Sequence, residues 1–289
     1  MKEIPGNRKK IGRQETPFIP KDLIKNIFSL DDSEPTALIE SQNKFLLIEV
    51  IKTEDIQTLI AGKKTDADTT RIGLSENQRA VARFVTEAHR KVPSAFSSIT
   101  VMCKSALESL NKINVTESRN IGIAELLIFY LARCRKNHSI VFSQYLVDDT
   151  VQILPNSNVA VTVDVGNGLF LPVINDADEK SLFEIEDDLC ALRLKVLRNK
   201  LGEESLQGAT IALSLNMNEG VNFVIPIIPI PLTAILSVGG FQETALIREK
   251  VLISETTVTI GMSFDHRVIN GRAAINLLAE IKKEIEGFR

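Results

Sequence analysis

The residues best suited to chemistry lie near the C-terminal end, in Ser263–Gly271, SFDHRVING. His266 stands where a β-rich run gives way to a turn and a helical pattern, and strand ends on a rigid scaffold are where reacting groups are held accurately. An imidazole titrates near neutral pH, so it can take a proton from a thiol or hydroxyl as that group attacks a carbonyl. On type and spacing alone, the histidine reads more readily as a satisfied surface or core residue. A hydroxyl candidate, Ser214, lies 52 residues earlier in the strand-like run Thr210–Leu215. By itself it reads as a strand serine bonded to neighbouring backbone. His89 and His138 read as surface or helix-end residues. Cys103, Cys134 and Cys190 are odd in number and contain no CxxC pair, so neither a disulfide framework nor a zinc site is expected. All three are read as buried thiols acting as small hydrophobes.

The elements that must position these groups follow from local periodicity. SENQRAVARFVTEAHRK has helical spacing behind the capping residue Ser75, and Ala95–Met102 reads as a strand. Ile121–Cys134 is apolar nearly all round, which predicts a buried helix. Val159–Val165 and LFLPVI read as strands joined by a turn at Asn167–Gly168. Glu179–Leu197 is a long amphipathic helix, and Gly271–Phe288 closes the chain as another. Thr210–Leu215, Leu232–Val238 and Val251–Phe264 read as strands. The apolar run Phe223–Val238 carries Pro226, Pro229 and Pro231, which forbid a helix. It is read as irregular chain entering a buried strand, with an apolarity that also suits a subunit interface. Helices and strands mix without a strict βαβ period, so the fold class is α/β, a mixed sheet covered by helices.

The chain has 289 residues, 44% hydrophobic and 25% charged, enough for a sizeable core. A net charge of −3 argues against nucleic acid, whose binders present a basic face. No membrane segment or secretory signal is read, and the expected location is cytoplasmic. Residues 1–70 form an N-terminal extension of different texture, and residues 71–289 the main domain, which carries the candidate residues above. The extension shows a helical pattern in KDLIKNIFSL, strand composition in KFLLIEVI, a second helical pattern over Thr53–Leu59 and a linker over 61–70.

SFDHRVING resembles the signature Asp-His-Arg-x-x-Asp/Asn-Gly of the dihydrolipoyl acyltransferase family, the catalytic core of 2-oxoacid dehydrogenase complexes. Chloramphenicol acetyltransferases carry a related motif on the same fold. The matching residues are Asp265, His266, Arg267, Asn270 and Gly271. Asn158–Ile185, LQGATIALSLNMNEG, LTAILSVGG and the helix opening at Ser75 are similar to family segments in the same order, so the resemblance covers roughly residues 74–289. It implies a chloramphenicol-acetyltransferase-like, coenzyme-A-dependent acyltransferase fold in a homotrimer with sites between subunits. His266 would be the general base and Ser214 the hydroxyl facing the oxyanion. Asn270 joins them as a catalytic residue, and Asp265, Arg267 and Gly271 support the corner. Acetyl-CoA is the implied cosubstrate, with no metal and no covalent lipoyl group in this chain.

The family's lipoyl domain and Pro/Ala-rich linkers have no match here. Ile51–Ile56 faintly resembles a helix of its subunit-binding domain, without the glycine-rich loop. These features favour a free-standing enzyme that moves acetyl from acetyl-CoA to a hydroxyl of a small-molecule or carrier-protein-bound acceptor, such as a tetronate-like intermediate of secondary metabolism. The first alternative is a dihydrolipoyl acyltransferase core served by a lipoyl domain on another chain. The second is an inactive structural homologue.

Overall fold

The computed structural model describes residues 71–164, 169–198, 200–202, 207–248 and 250–289. Every described element belongs to the unit Gly73–Arg289. The expectations for residues 1–70, and the turn at Asn167–Gly168, lie outside the described residues.

Helix α1 (Glu76–Lys91) starts where expected, with the Ser75 hydroxyl accepting from Gln78 N. It leads into β1 (Ser94–Met102). Helix α2 (Lys104–Glu117) was not anticipated, because its N-cap position, Cys103, makes no side-chain cap. The signal was present in Ala106, Ser109, Leu110 and Ile113, whose spacing lays them on one face against the core. Helix α3 (Ile123–Cys134) is buried nearly all round, as its composition requires. A 3₁₀ turn, Ser139–Phe142, then introduces the small hairpin β2 (Ser143–Tyr145) and β3 (Val151–Ile153).

The strand expected at Val159–Val165 is two strands, β4 (Val159–Val161) and β5 (Val163–Asp164), in different sheets. LFLPVI likewise divides into β6 (Leu169–Phe170) and β7 (Val173–Ile174). Pro172 has no N–H to continue a ladder, although its carbonyl accepts Val161 N at 2.9 Å. Helix α4 (Leu182–Leu197) opens with a reciprocal cap between Ser181 and Glu184. Next come β8 (Ile211–Leu215), β9 (Ala234–Val238), β10 (Gln242–Arg248), β11 (Val251–Asp265) and α5 (Gly271–Gly287). Cys190 on α4 is exposed, contrary to expectation, whereas Cys103 and Cys134 are buried. Burial, reinforced by the Glu255 charge, pushes the Cys103 thiol up to about 12.

The main sheet runs β1-β11-β9-β8-β4-β7, with β10 also paired to β11. Strand β11 is long enough to change partners: β10 covers its first half, β1 and β9 its second. The β4–β8 and β8–β9 pairs are parallel, so each needs a crossover. The first crossover carries α4, on the face where α2, α3, α4 and α5 bury the large core. The second, residues 216–233, cannot be helical because of its prolines. It lies as extended chain on the opposite face, where Ile228 and Leu232 pack with Ala160, Ala212 and Ile235. The apolar run therefore does two things: Ala234–Val238 is a fully buried strand, while Phe223, Ile225 and Ile227 remain exposed. Among the described residues no helix is long and apolar enough to cross a membrane.

Candidate functional site

The C-terminal end of β11 is a tightly bonded corner. Asp265 N donates to Thr233 O at 2.8 Å, and His266 N donates to Pro93 O at 3.0 Å. Asp265 is fully buried, and its carboxylate accepts three groups of Arg267: the backbone N–H at 3.0 Å, Nε at 3.0 Å and the terminal Nη2 at 2.6 Å. Such bidentate pairing fixes orientation as well as charge. It holds the Arg267 guanidinium above its ordinary pKa. The other side of that guanidinium lies over the Tyr145 ring, 3.8 Å from its centroid. Tyr145 is tied down by its N–H to Pro231 O, 2.8 Å, and by its hydroxyl to Asp149. The chain then turns through bonds from Val268 N and Ile269 N back to Asp265 O.

Asn270 ends the turn as the N-cap of α5, its side-chain oxygen accepting Ala273 N at 3.0 Å. Asp and Asn serve equally at that position, so an asparagine here keeps the corner intact. Gly271 is the first residue of the helix. His266, held between Asp265 and Arg267, is exposed and its ring is tilted against Phe264 at 5.7 Å between centroids. Among the described residues neither ring nitrogen of His266 has a hydrogen-bond partner. The imidazole is positioned through its backbone and presented outward.

Ser214 is on β8, half-buried, and its Oγ accepts a hydrogen bond from Asn216 Nδ2 at 2.8 Å. The register sets it opposite Ser237 of β9, which is opposite Gly261 of β11. These opposed residues share one face of the sheet, the face crossed by residues 216–233. Gly261 matters there: an added Cβ would lie 2.5 Å from the Phe96 ring, which crosses that point and stacks on Phe223. The sequence reading singled out neither Asn216 nor Phe96 nor Tyr145. Asn216 could have been found two positions beyond Ser214; the other two are brought in by long-range packing and left no local signal.

Within one chain Ser214 and His266 are not brought together. Gly261, level with Ser214, is five residues short of His266, roughly 17 Å along the sheet with two strand spacings of about 4.8 Å across it. Asp265, His266, Arg267, Asn270 and Gly271 form one corner, and Ser214 belongs to another. Among the described residues no group of three or more His, Cys, Asp or Glu gathers as metal ligands.

Comparison with known proteins covers both regions. The family model described as 2-oxoacid dehydrogenases acyltransferase (catalytic domain) matches residues 66–289. The dihydrolipoyllysine-residue acetyltransferase component of the pyruvate dehydrogenase complex of Bacillus subtilis is 34% identical over 126 residues, 44% of this chain and 28% of that protein. The chain spans about half or less of the length of the curated relatives it matches. The cubic core of the pyruvate dehydrogenase multienzyme complex superposes with a TM-score of 0.73 at 21% identity, covering 78% of this chain and 94% of that one. The dihydrolipoamide acetyltransferase of Azotobacter vinelandii gives the same values. In that enzyme a serine, a histidine 52 residues later and an asparagine four residues beyond were investigated for their role in the catalytic mechanism.

Proposed function

The chain belongs to the 2-oxoacid dehydrogenase acyltransferase family, and on that membership we propose that it is a dihydrolipoyl acyltransferase core, moving an acyl group between coenzyme A and a dihydrolipoyl thiol. The observation that carries the proposal is spacing: Ser214, His266 and Asn270 repeat the intervals of the trio studied in the Azotobacter vinelandii enzyme. The names of the relatives reported above favour this acceptor over the hydroxyl acceptor that leads the sequence reading.

The chemistry follows from the groups present. The acceptor thiol gives its proton to an exposed ring nitrogen of His266 as sulfur attacks the thioester carbonyl. The carbonyl oxygen becomes an oxyanion, which the Ser214 hydroxyl stabilises by donating to it. Collapse breaks the original C–S bond, and the leaving thiolate takes the proton back from the imidazolium. Asp265 and Arg267 do not touch the reacting atoms; they hold the corner from which His266 projects. Asn270 acts on this reading through the start of α5, which its side-chain oxygen caps.

Because one chain keeps the base and the hydroxyl apart, the site is proposed to form between copies, His266 of one facing Ser214 of another in a homotrimer. Assembly into a larger particle, as in the cubic core it superposes on, is an extension of the same reading. Incubation with acetyl-CoA and either dihydrolipoamide or a panel of alcohols tests the acceptor. Dihydrolipoamide should turn over, with activity reduced about 10²–10⁴-fold in His266→Ala. Turnover of alcohols alone would restore the hydroxyl-acceptor reading, and an unaffected His266→Ala would remove the proposed base. A monomer by light scattering that is fully active would exclude a shared site.

A further inference from the structure

The environment of Ser214 points to a second residue in oxyanion stabilisation, on the reading that Ser214 is the oxyanion donor. A serine hydroxyl has one proton to donate and two lone pairs to accept with. Two serines face each other in register here, and they spend that proton differently. Ser237 is 1% exposed and donates to Val224 O at 2.7 Å, so its hydrogen is committed inside the protein. Ser214 instead accepts, from Asn216 Nδ2 at 2.8 Å, and among the described residues no acceptor takes its proton. We infer that Asn216 is a positioning residue: by filling a lone pair of Ser214 Oγ, its amide turns the serine proton outward, toward the oxygen of the reacting thioester.

Asn216 is itself held by backbone rather than by side chains. Its N–H donates to Val238 O at 3.0 Å, and Gly240 N donates to Val221 O at 2.7 Å, drawing the following loop onto the end of β9. The approach is so close that a Cβ on Gly239 would lie 2.2 Å from Asn222 O, and one on Gly240 2.2 Å from Asn218 O. Glycine at both positions is what permits this contact. The amide therefore reaches Ser214 from a fixed support, and a donor that is already oriented costs no reorganisation when the oxyanion forms.

Asn216→Asp tests the assignment at constant shape. A carboxylate only accepts, so it would draw the Ser214 proton inward. Measured on the full chain with acetyl-CoA and dihydrolipoamide, Ser214→Ala should lower kcat about 10²–10³-fold. Asn216→Asp should lower it by a similar factor, with KM for both substrates unchanged. The double variant should be no slower than Ser214→Ala alone, since both remove one interaction. Asn216→Ala, which leaves the hydroxyl able to rotate, should cost only about 5-fold, and it carries the test should the aspartate variant fail to fold. Raised KM, or a double variant much slower than Ser214→Ala, would make Asn216 a structural loop residue and overturn the inference. So would an unaltered kcat in both Asn216 variants beside an impaired Ser214→Ala. An unaltered Ser214→Ala would instead overturn the reading of Ser214, and this inference with it.

Discussion

The His266 corner and the Ser214 strand end are held in place by different forces. Around His266 the holding contacts are charged and polar: Asp265 with Arg267, Arg267 over Tyr145, and Asn270 at the helix start. Around Ser214 they are close backbone contacts, with residues 218–222 laid directly on Gly239 and Gly240. A charged corner tolerates small shifts in packing but not the loss of a partner, because a buried carboxylate without its cation is costly. A backbone contact with no room for a methyl group shows the opposite sensitivity. His266 is thus secured by electrostatics and Ser214 by shape.

Substitutions should separate the two regimes. The largest effect is expected from Arg267→Met, which strands the Asp265 carboxylate in a fully buried site. About 3 kcal/mol of stability should be lost, read from urea unfolding. A loss below about 1 kcal/mol would show that the corner does not depend on this pair. Next comes Gly239→Ala. The added methyl meets Asn222 O, which must move, so a loss of about 1–3 kcal/mol is expected, together with lower kcat. A fully active, fully stable Gly239→Ala would break the claim that shape secures the Ser214 side.

Smaller effects sharpen the contrast. Tyr145→Leu removes the ring beneath Arg267 and should cost about 0.5–1 kcal/mol in thermal unfolding, whereas Tyr145→Phe should keep most of it. Equal losses in both would assign the effect to the Asp149 hydrogen bond instead. The smallest change is expected at Ser263, which is buried between the two regions on β11 and whose hydroxyl has no partner among the described residues. Ser263→Ala removes an unsatisfied polar group and should leave stability unchanged or raise it by about 1 kcal/mol. A clear destabilisation would mean that the hydroxyl is satisfied in solution.

Much of this architecture is legible from residue order alone. Ser75 and the apolar positions behind it specify α1, and the all-round apolarity of Ile123–Cys134 specifies the buried α3. Pro226, Pro229 and Pro231 exclude a helix between β8 and β9. Asp265, His266, Arg267 and Asn270 lie within six residues, so one turn of chain nearly completes their corner, and the family signature there is readable without a fold. These features depend on neighbours close in sequence, and local periodicity and capping report such neighbours directly.

Tertiary structure decided the rest. It alone set Ser214 level with Gly261 rather than with His266, cut the expected strands at Thr162 and Pro172, carried Tyr145 beneath Arg267 and closed the 218–222 loop onto two glycines. Strand register and close backbone approach depend on which faces bury against each other across tens of residues. A period-two pattern says which side of a strand is buried, not which partner residue it meets.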